Sequence, residues 1–366
     1  MAPSQVGSRV PYISMNVTTV TDVIPTTANL SLANSTSTSL PPSEHTLDIW
    51  VVVLEFILGT VGIVGNFLVC VIIWRAKFLH NFTNYLILSL AFADLVASVC
   101  IVGNVFVLEA VLFTWTPSNR VAAELYCRFY SNRFLFWTCV TASVFNLVSV
   151  TFERFFAIVY PLHYPLYFTS KKVGLMIAGT WIIALVQELF AFFVNYYDTT
   201  KQECGYHYTS EAAAIFVGVL VFLLSYFLPL LVMVWAYYRI MSNLKRGAHN
   251  SQASGGNNNR GDPAILRARR KVVYVLFTVV IAFVVLWSPN QIVYLFENFG
   301  VVIVSTDHVL YKLFRLMAFS NSVINPIIYA FKYKQFRKGF RVAIMCLCTS
   351  NHIHDNQAAT TELSNS

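Results

Sequence analysis

Few residues in this chain are placed to do chemistry. Asp94 lies within Leu90-Ala-Phe-Ala-Asp94, and Glu153-Arg154-Phe155 ends a long apolar run. Asn66, Ser143, Asn146, Asn321, Ser322 and Asn325 sit in similarly apolar surroundings. Ionisable and amide groups are costly in hydrocarbon, so each is a functional hypothesis by default. Taken singly, they also have plain readings. A lone Asn joins helices by one hydrogen bond, and a lone proline such as Pro289 or Pro326 bends one. No nucleophile–base pair, phosphate loop or metal cluster stands out, so the sequence does not support an enzyme.

These residues must be positioned by membrane-spanning helices. Of 366 residues, 57% are hydrophobic and 11% charged, against roughly 25% charged in an ordinary soluble domain. Seven apolar runs cover Ile49–Trp74, Tyr85–Phe113, Leu125–Phe152, Val173–Val194, Ala212–Tyr238, Val272–Phe296 and Val309–Phe331. Each reaches the ~20 residues that a helix needs to cross a bilayer. Backbone groups cannot stay unpaired in lipid, and the alternating segments of a barrel are missing, so these runs predict helices.

Lys and Arg set the expected orientation. Arg75, Lys77, Lys171 and Lys172 fall on one side, with the cluster from Arg239 to Lys271 and Lys332, Lys334, Arg337, Lys338 and Arg341. That side is expected to be cytoplasmic, leaving the N-terminus extracellular. The +8 formal charge is then an inner membrane surface, and no nucleic acid is implied.

Residues 1–47 read as a disordered extracellular tail with glycosylation sequons at Asn16, Asn29 and Asn34. The bundle is expected over 48–331, an amphipathic membrane-surface helix over 332–348, and a disordered cytoplasmic tail over 349–366. Phe336, Phe340 and Ile344 form the apolar stripe of that surface helix. Cys346 and Cys348 at its end are expected palmitoylation sites.

In this order and spacing, the polar residues resemble the rhodopsin-like (class A) G protein-coupled receptors, of the peptide-receptor kind. The motifs are Gly65-Asn66, Asp94, Glu153-Arg154, Trp181, Pro229 with Tyr237, Trp287 with Pro289, and Asn325-Pro326-Ile-Ile-Tyr329. The resemblance implies an all-α membrane protein, a seven-transmembrane helix bundle with a short amphipathic eighth helix. It implies an allosteric sodium ion among Asp94, Ser143, Trp287, Asn321, Ser322 and Asn325, with Asn66 in the same polar network. The alternative is a water network without an ion. No other cofactor is expected.

The resemblance also pairs Arg154 with Glu153 at rest and turns Arg154, with Leu162 and Tyr237, toward a heterotrimeric G protein in the active state. Phe283, Trp287 and Pro289 would transmit the change, with Asn325, Pro326 and Tyr329 as switch positions. Arg267, Arg269, Arg270 and Lys271 stand where many relatives carry an acid at the foot of the sixth span. That predicts a missing lock and appreciable basal activity. A disulfide is implied between Cys127 and Cys204. Cys127 precedes Arg154 by 27 residues, two more than the family spacing, which predicts a bulge or altered start in the third span. Arrestin and membrane lipid are further implied partners, and the plasma membrane the implied location.

For the ligand, the outer half of the third span lacks the acid of amine receptors, and Phe319 stands near the retinal-lysine position of opsins. Arg133 and Arg315 could bind a carboxylate or a peptide C-terminus, or pair internally with Glu109, Glu188 or Glu297. Phe136, Trp137, Tyr294, Tyr311 and Phe314 would line an aromatic pocket. This points to a neuropeptide ligand. The alternatives are a small acidic or lipid ligand, a constitutively active receptor, or, remotely, a seven-helix channel or transporter.

Overall fold

The computed structural model describes residues 44–108, 119–201, 203–253, 263–305 and 308–342. For 44–48, 105–108, 203, 247–253 and 263–271 it describes the backbone alone. The helices are α1 (Glu44–Arg75), α2 (Phe82–Leu108), α3 (Arg120–Leu125), α4 (Phe134–Val159), α5 (Tyr164–Tyr167), α6 (Ser170–Val194), α7 (Glu211–Phe222), α8 (Leu228–Ala253), α9 (Pro263–Asn298) and α10 (Val309–Lys332). A last helix, α11, covers 334–342. Strands β1 (Asn195–Asp198) and β2 (Glu203–Tyr206) form one antiparallel hairpin.

Polar side chains start several helices where the sequence turns apolar. Asn119, Thr169 and Ser210 accept from the backbone N–H of Ala122, Lys172 and Ala213. Each cap satisfies a donor that the first turn leaves unpaired. Helix α8 continues to Ala253.

Six segments are long and apolar enough to cross a membrane. Two of them are composite. A π turn, Tyr126–Ser131, joins α3 to α4, and another, Leu223–Phe227, joins α7 to α8. Helix α10 completes the seven-span bundle. Its 24 residues reach roughly 36 Å at ~1.5 Å per residue. Lys312, Arg315, Asn321, Ser322 and Asn325 dilute its apolar character, yet it packs against α1, α2 and α9.

The bundle is apolar outside and polar within. Trp74, Leu175, Phe193 and Phe216 face outward, whereas Asn66, Asp94, Ser143, Asn146 and Asn325 are buried. Span α4 is central and touches α2, α6, α8 and α9. Two glycines permit close approach. A Cβ on Gly65 would meet Pro326 at 3.0 Å, and one on Gly339 would meet Ile72 at 2.8 Å. Gly339 thereby seats α11 on the end of α1, with Phe336 buried against Tyr329 and Lys338 over the Phe78 ring.

Candidate functional site

Three layers stack along the bundle axis. The middle layer is built on Asp94. Ser143 Oγ donates to its Oδ1 at 2.8 Å, and Asn325 Nδ2 donates to its Oδ2 at 2.8 Å. Ser322 is buried in the same stretch of α10. One side chain of α2 thus ties α4 and α10 together. Asn66 ties in α1, donating to the Ser322 carbonyl at 2.8 Å and the Gly62 carbonyl at 3.0 Å. Asn321 is buried in the same stretch of α10. Interhelical hydrogen bonds in membranes average about 0.6 kcal/mol, too little for adhesion to account for so complete a network.

Two buried acceptors here, Asn66 Oδ1 and Asn325 Oδ1, have no hydrogen-bond donor. A carboxylate, hydroxyls and spare amide oxygens form the all-oxygen set that suits a hard cation. The residues present therefore fit a small monovalent cation.

The second layer lies at the end away from the hairpin. Glu153 is fully buried and is held from three elements. Arg154 Nε donates to its Oε2 at 2.5 Å, and Arg154 Nη2 donates to its Oε1. Thr83 Oγ1 at the start of α2 donates to Oε2 at 2.9 Å, and the Tyr164 hydroxyl of α5 donates to Oε1 at 2.5 Å. Burial first, and the bond to Glu153 second, push the Tyr164 phenol well above its ordinary pKa. It therefore stays protonated, as a donor, across the physiological range.

Arg154, Tyr164, Thr83, His80, Val272 and Tyr333 line a cleft with about 1030 Å³ of space free of protein atoms. Leu162, which follows the end of α4, is 89% exposed and does not line the cleft. Tyr237 is buried on α8 with its ring 5.4 Å from that of Phe277. Tyr329 is buried on α10, its hydroxyl without a partner. The backbone of 263–271 is helical, but the side chains of Arg267, Arg269, Arg270 and Lys271 lie outside the described residues.

The third layer is a cavity toward the hairpin end, with about 650 Å³ of space partly open to solvent. Trp137, Val140, Thr141 and Val144 of α4 line it, with Glu188 of α6, Ser225, and Trp287, Gln291 and Tyr294 of α9. Trp287 links this layer to the interior: Phe283, one turn below it, is fully buried 6.0 Å from the Tyr226 ring. Pro289 lies just above, inside α9. The cavity is mostly apolar with a few polar groups, the lining that small-molecule sites favour.

Residues 65–329 match the family model described as "7 transmembrane receptor (rhodopsin family)". The chain belongs to the rhodopsin family of seven-transmembrane receptors. It is 32% identical to the substance-P receptor of Homo sapiens over 340 residues, spanning 89% of this chain and 79% of that protein. It is 27% identical to the tachykinin-like peptides receptor 86C of Drosophila melanogaster, over 89% of this chain and 64% of the relative. It is 28% identical to the trace amine-associated receptor 6 of Pan troglodytes, over 85% and 89%. These relatives are receptors, not enzymes.

The receptor's third span carries the irregularity that the Cys127–Arg154 spacing predicts. The Tyr126–Ser131 π turn is followed by Arg133 at φ 53°, the only positive φ among described non-glycine residues. The Cys127–Cys204 disulfide closes this turn onto the hairpin, where Cys204 pairs with Tyr197. Cys70, Cys100 and Cys139 are free.

The expected ligand pocket is only partly assembled. Trp137, Glu188 and Tyr294 line the cavity, whereas Arg133, Phe136, Tyr311, Phe314 and Arg315 do not. Phe136 is buried against Trp137 and Phe319. Tyr311 is buried and Phe314 half-buried on α10. Arg315 Nη2 lies 2.7 Å from Glu55 Oε1 on α1, not against Glu188 or Glu297. Arg133 Nε lies 2.9 Å from the Asn104 amide, with the amide oxygen turned toward it. Glu188 accepts from Thr141 Oγ1 at 3.0 Å.

Sequence reasoning missed Thr83, Tyr164, Glu55, Thr141 and Gln291. A Thr, Tyr or Gln in or beside a helix carries no signal of its own, and Glu55 could have been found only as an acid inside an apolar run. Asn16, Asn29, Asn34, Glu109, Cys346 and Cys348 lie outside the described residues.

Proposed function

We propose that this chain is a plasma-membrane receptor with the hairpin end outside and the C-terminus in the cytosol. It binds an extracellular peptide and drives nucleotide exchange on a heterotrimeric G protein. The observation that carries the reading is the three-layer order: a ligand cavity floored by Trp287, the Asp94 network beneath it, and Arg154 at the far cleft.

Ligand seated over Trp287 would favour an arrangement in which α9, bent at Pro289, swings its cytosolic end outward. Pro289 lacks an N–H, so the helix already misses one backbone bond there. Only a ligand with unequal affinity for the two arrangements can drive the shift. Movement of α9 and of Tyr237 would widen the cleft around Arg154 and Tyr333, where the G protein docks, touching Leu162 as well. Arrestin would use the same cleft, with membrane lipid against the basic face of α11. Support for a peptide ligand comes from the likeness to the substance-P and tachykinin-like receptors. A peptide-library screen with a nucleotide-exchange readout tests it. Peptides that bind and drive exchange are expected; exchange driven only by non-peptide ligands would overturn the peptide reading.

A sodium ion held by Asp94 and Ser143, with Asn325 and Ser322 nearby, would supply a fixed positive charge to the resting arrangement. By linkage, sodium then favours rest. Basal nucleotide exchange in NaCl is expected to fall below that in KCl at equal ionic strength. Asp94→Asn is expected to remove the difference. Equal exchange in the two salts for the unmutated receptor would favour a water network without an ion.

A further inference from the structure

The upper cavity has a charge character opposite to the one that Arg133 and Arg315 suggest. Glu188 is the only charged side chain among the described residues that line it, and no Lys, Arg or His joins it there. It is 8% exposed, and its one described hydrogen bond comes from the neutral Thr141 hydroxyl. The two nearby cations are engaged elsewhere, Arg315 with Glu55 and Arg133 with Asn104. A buried carboxylate without a cation is costly, and a cation supplied from outside recovers much of that cost.

Two more observations point to a ligand. Gln291 Oε1 and Trp287 Nε1 both belong to side chains more than nine-tenths buried, line the same cavity and have no hydrogen-bond partner. An unpaired buried acceptor and donor await complementary groups. Trp137, Trp287 and Tyr294 add aromatic faces, which attract cations through their ring quadrupoles.

We propose that the ligand of this receptor places a cationic group, an ammonium or guanidinium, against Glu188, with Gln291 Oε1 as a second acceptor. This rests on the receptor reading above and names the chemistry of the ligand end that reaches the cavity floor. It disfavours acidic ligands, since a carboxylate would meet Glu188 as a like charge. Either a small arylalkyl amine or a basic residue or N-terminus of a peptide could supply the cation.

The test is direct binding to the purified full-length receptor, read as a thermal-unfolding shift. One arm compares arylalkylammonium probes with isosteric neutral alcohols and with carboxylates. The other compares amidated peptides carrying Arg or Lys with the same peptides carrying citrulline or norleucine. At least a tenfold preference for the cationic member is expected in one arm, and that arm identifies the source. Glu188→Gln should erase the preference while leaving the neutral analogue unchanged, and Glu188→Asp should retain part of it. Equal binding of neutral and cationic probes, no binding of any cationic probe up to millimolar concentration, or an intact preference in Glu188→Gln would overturn the proposal. If Glu188→Gln does not fold, the preference of the unmutated receptor decides. Binding is read without a G protein, so failure of coupling leaves this result standing.

Discussion

Arg154→Ala is expected to reduce nucleotide exchange to the level of membranes without receptor, while receptor still reaches the cell surface. The loss follows from where the guanidinium sits. It is the one charged group described in the lining of the far cleft, and it hangs between Glu153 and Thr83. Removing one partner of a buried ion pair costs about 3–5 kcal/mol. Here Thr83 and Tyr164 still donate to the abandoned carboxylate, so the cost should fall at or below the lower end and the fold should survive.

Arg154→Lys keeps the charge but not the forked geometry. It should restore only a small part of the exchange. Glu153→Gln should act in the opposite direction. It weakens the hold on Arg154 and is expected to raise basal exchange severalfold. Exchange assays beside surface labelling check all three, and full exchange in Arg154→Ala would sink the proposed mechanism.

Replacing Cys127 or Cys204 by Ser carries the second large effect. The bond closes a loop of sequence separation 77, worth roughly 4–5 kcal/mol by loop-closure entropy if the opened chain were a free coil. It is not free, because the spans on either side remain helices in the bilayer. A loss of about 2–4 kcal/mol is therefore the better expectation.

The local consequence is larger than the global one. The bond holds the Tyr126–Ser131 turn beneath the β1–β2 hairpin, and Arg128 adds a bond to the Phe192 carbonyl at 2.7 Å. Without it the hairpin should detach from the third span. Ligand binding should fall by at least tenfold, and the unfolding midpoint should drop by several degrees. The double Cys127→Ser, Cys204→Ser variant should lose no more than either single one. An unchanged midpoint in the single variants would show that the hairpin is held by its other contacts.

Most of the architecture was legible without coordinates. The length of an apolar run is a local property, and crossing a bilayer depends on little else. All seven spans could therefore be read directly as apolar runs, the seventh despite its diluted apolarity. Asp94, Ser143, Asn66 and Asn325 were legible singly as costly polar residues in hydrocarbon, and as a group through the resemblance to the rhodopsin-like receptors. The 27-residue interval from Cys127 to Arg154 pointed to an irregular third span only when set against the family spacing, which is two residues shorter.

The pairings were not legible. Sequence left Arg315 and Arg133 either to a ligand or to Glu109, Glu188 or Glu297, but the fold gives Arg315 to Glu55 and Arg133 to Asn104. It left Glu188 as one acid among several, and the fold makes it the only charge described in the cavity lining. The reason is rotational. Each residue turns a helix by about 100°, so a π turn that adds one residue re-aims every side chain beyond it. The chain has two such turns, at Tyr126–Ser131 and Leu223–Phe227. Sequence alone determined that seven helices cross the membrane and which polar residues lie within them. Which of those residues face one another, and which charge lines the cavity, was decided only when the helices packed and their rotations were set.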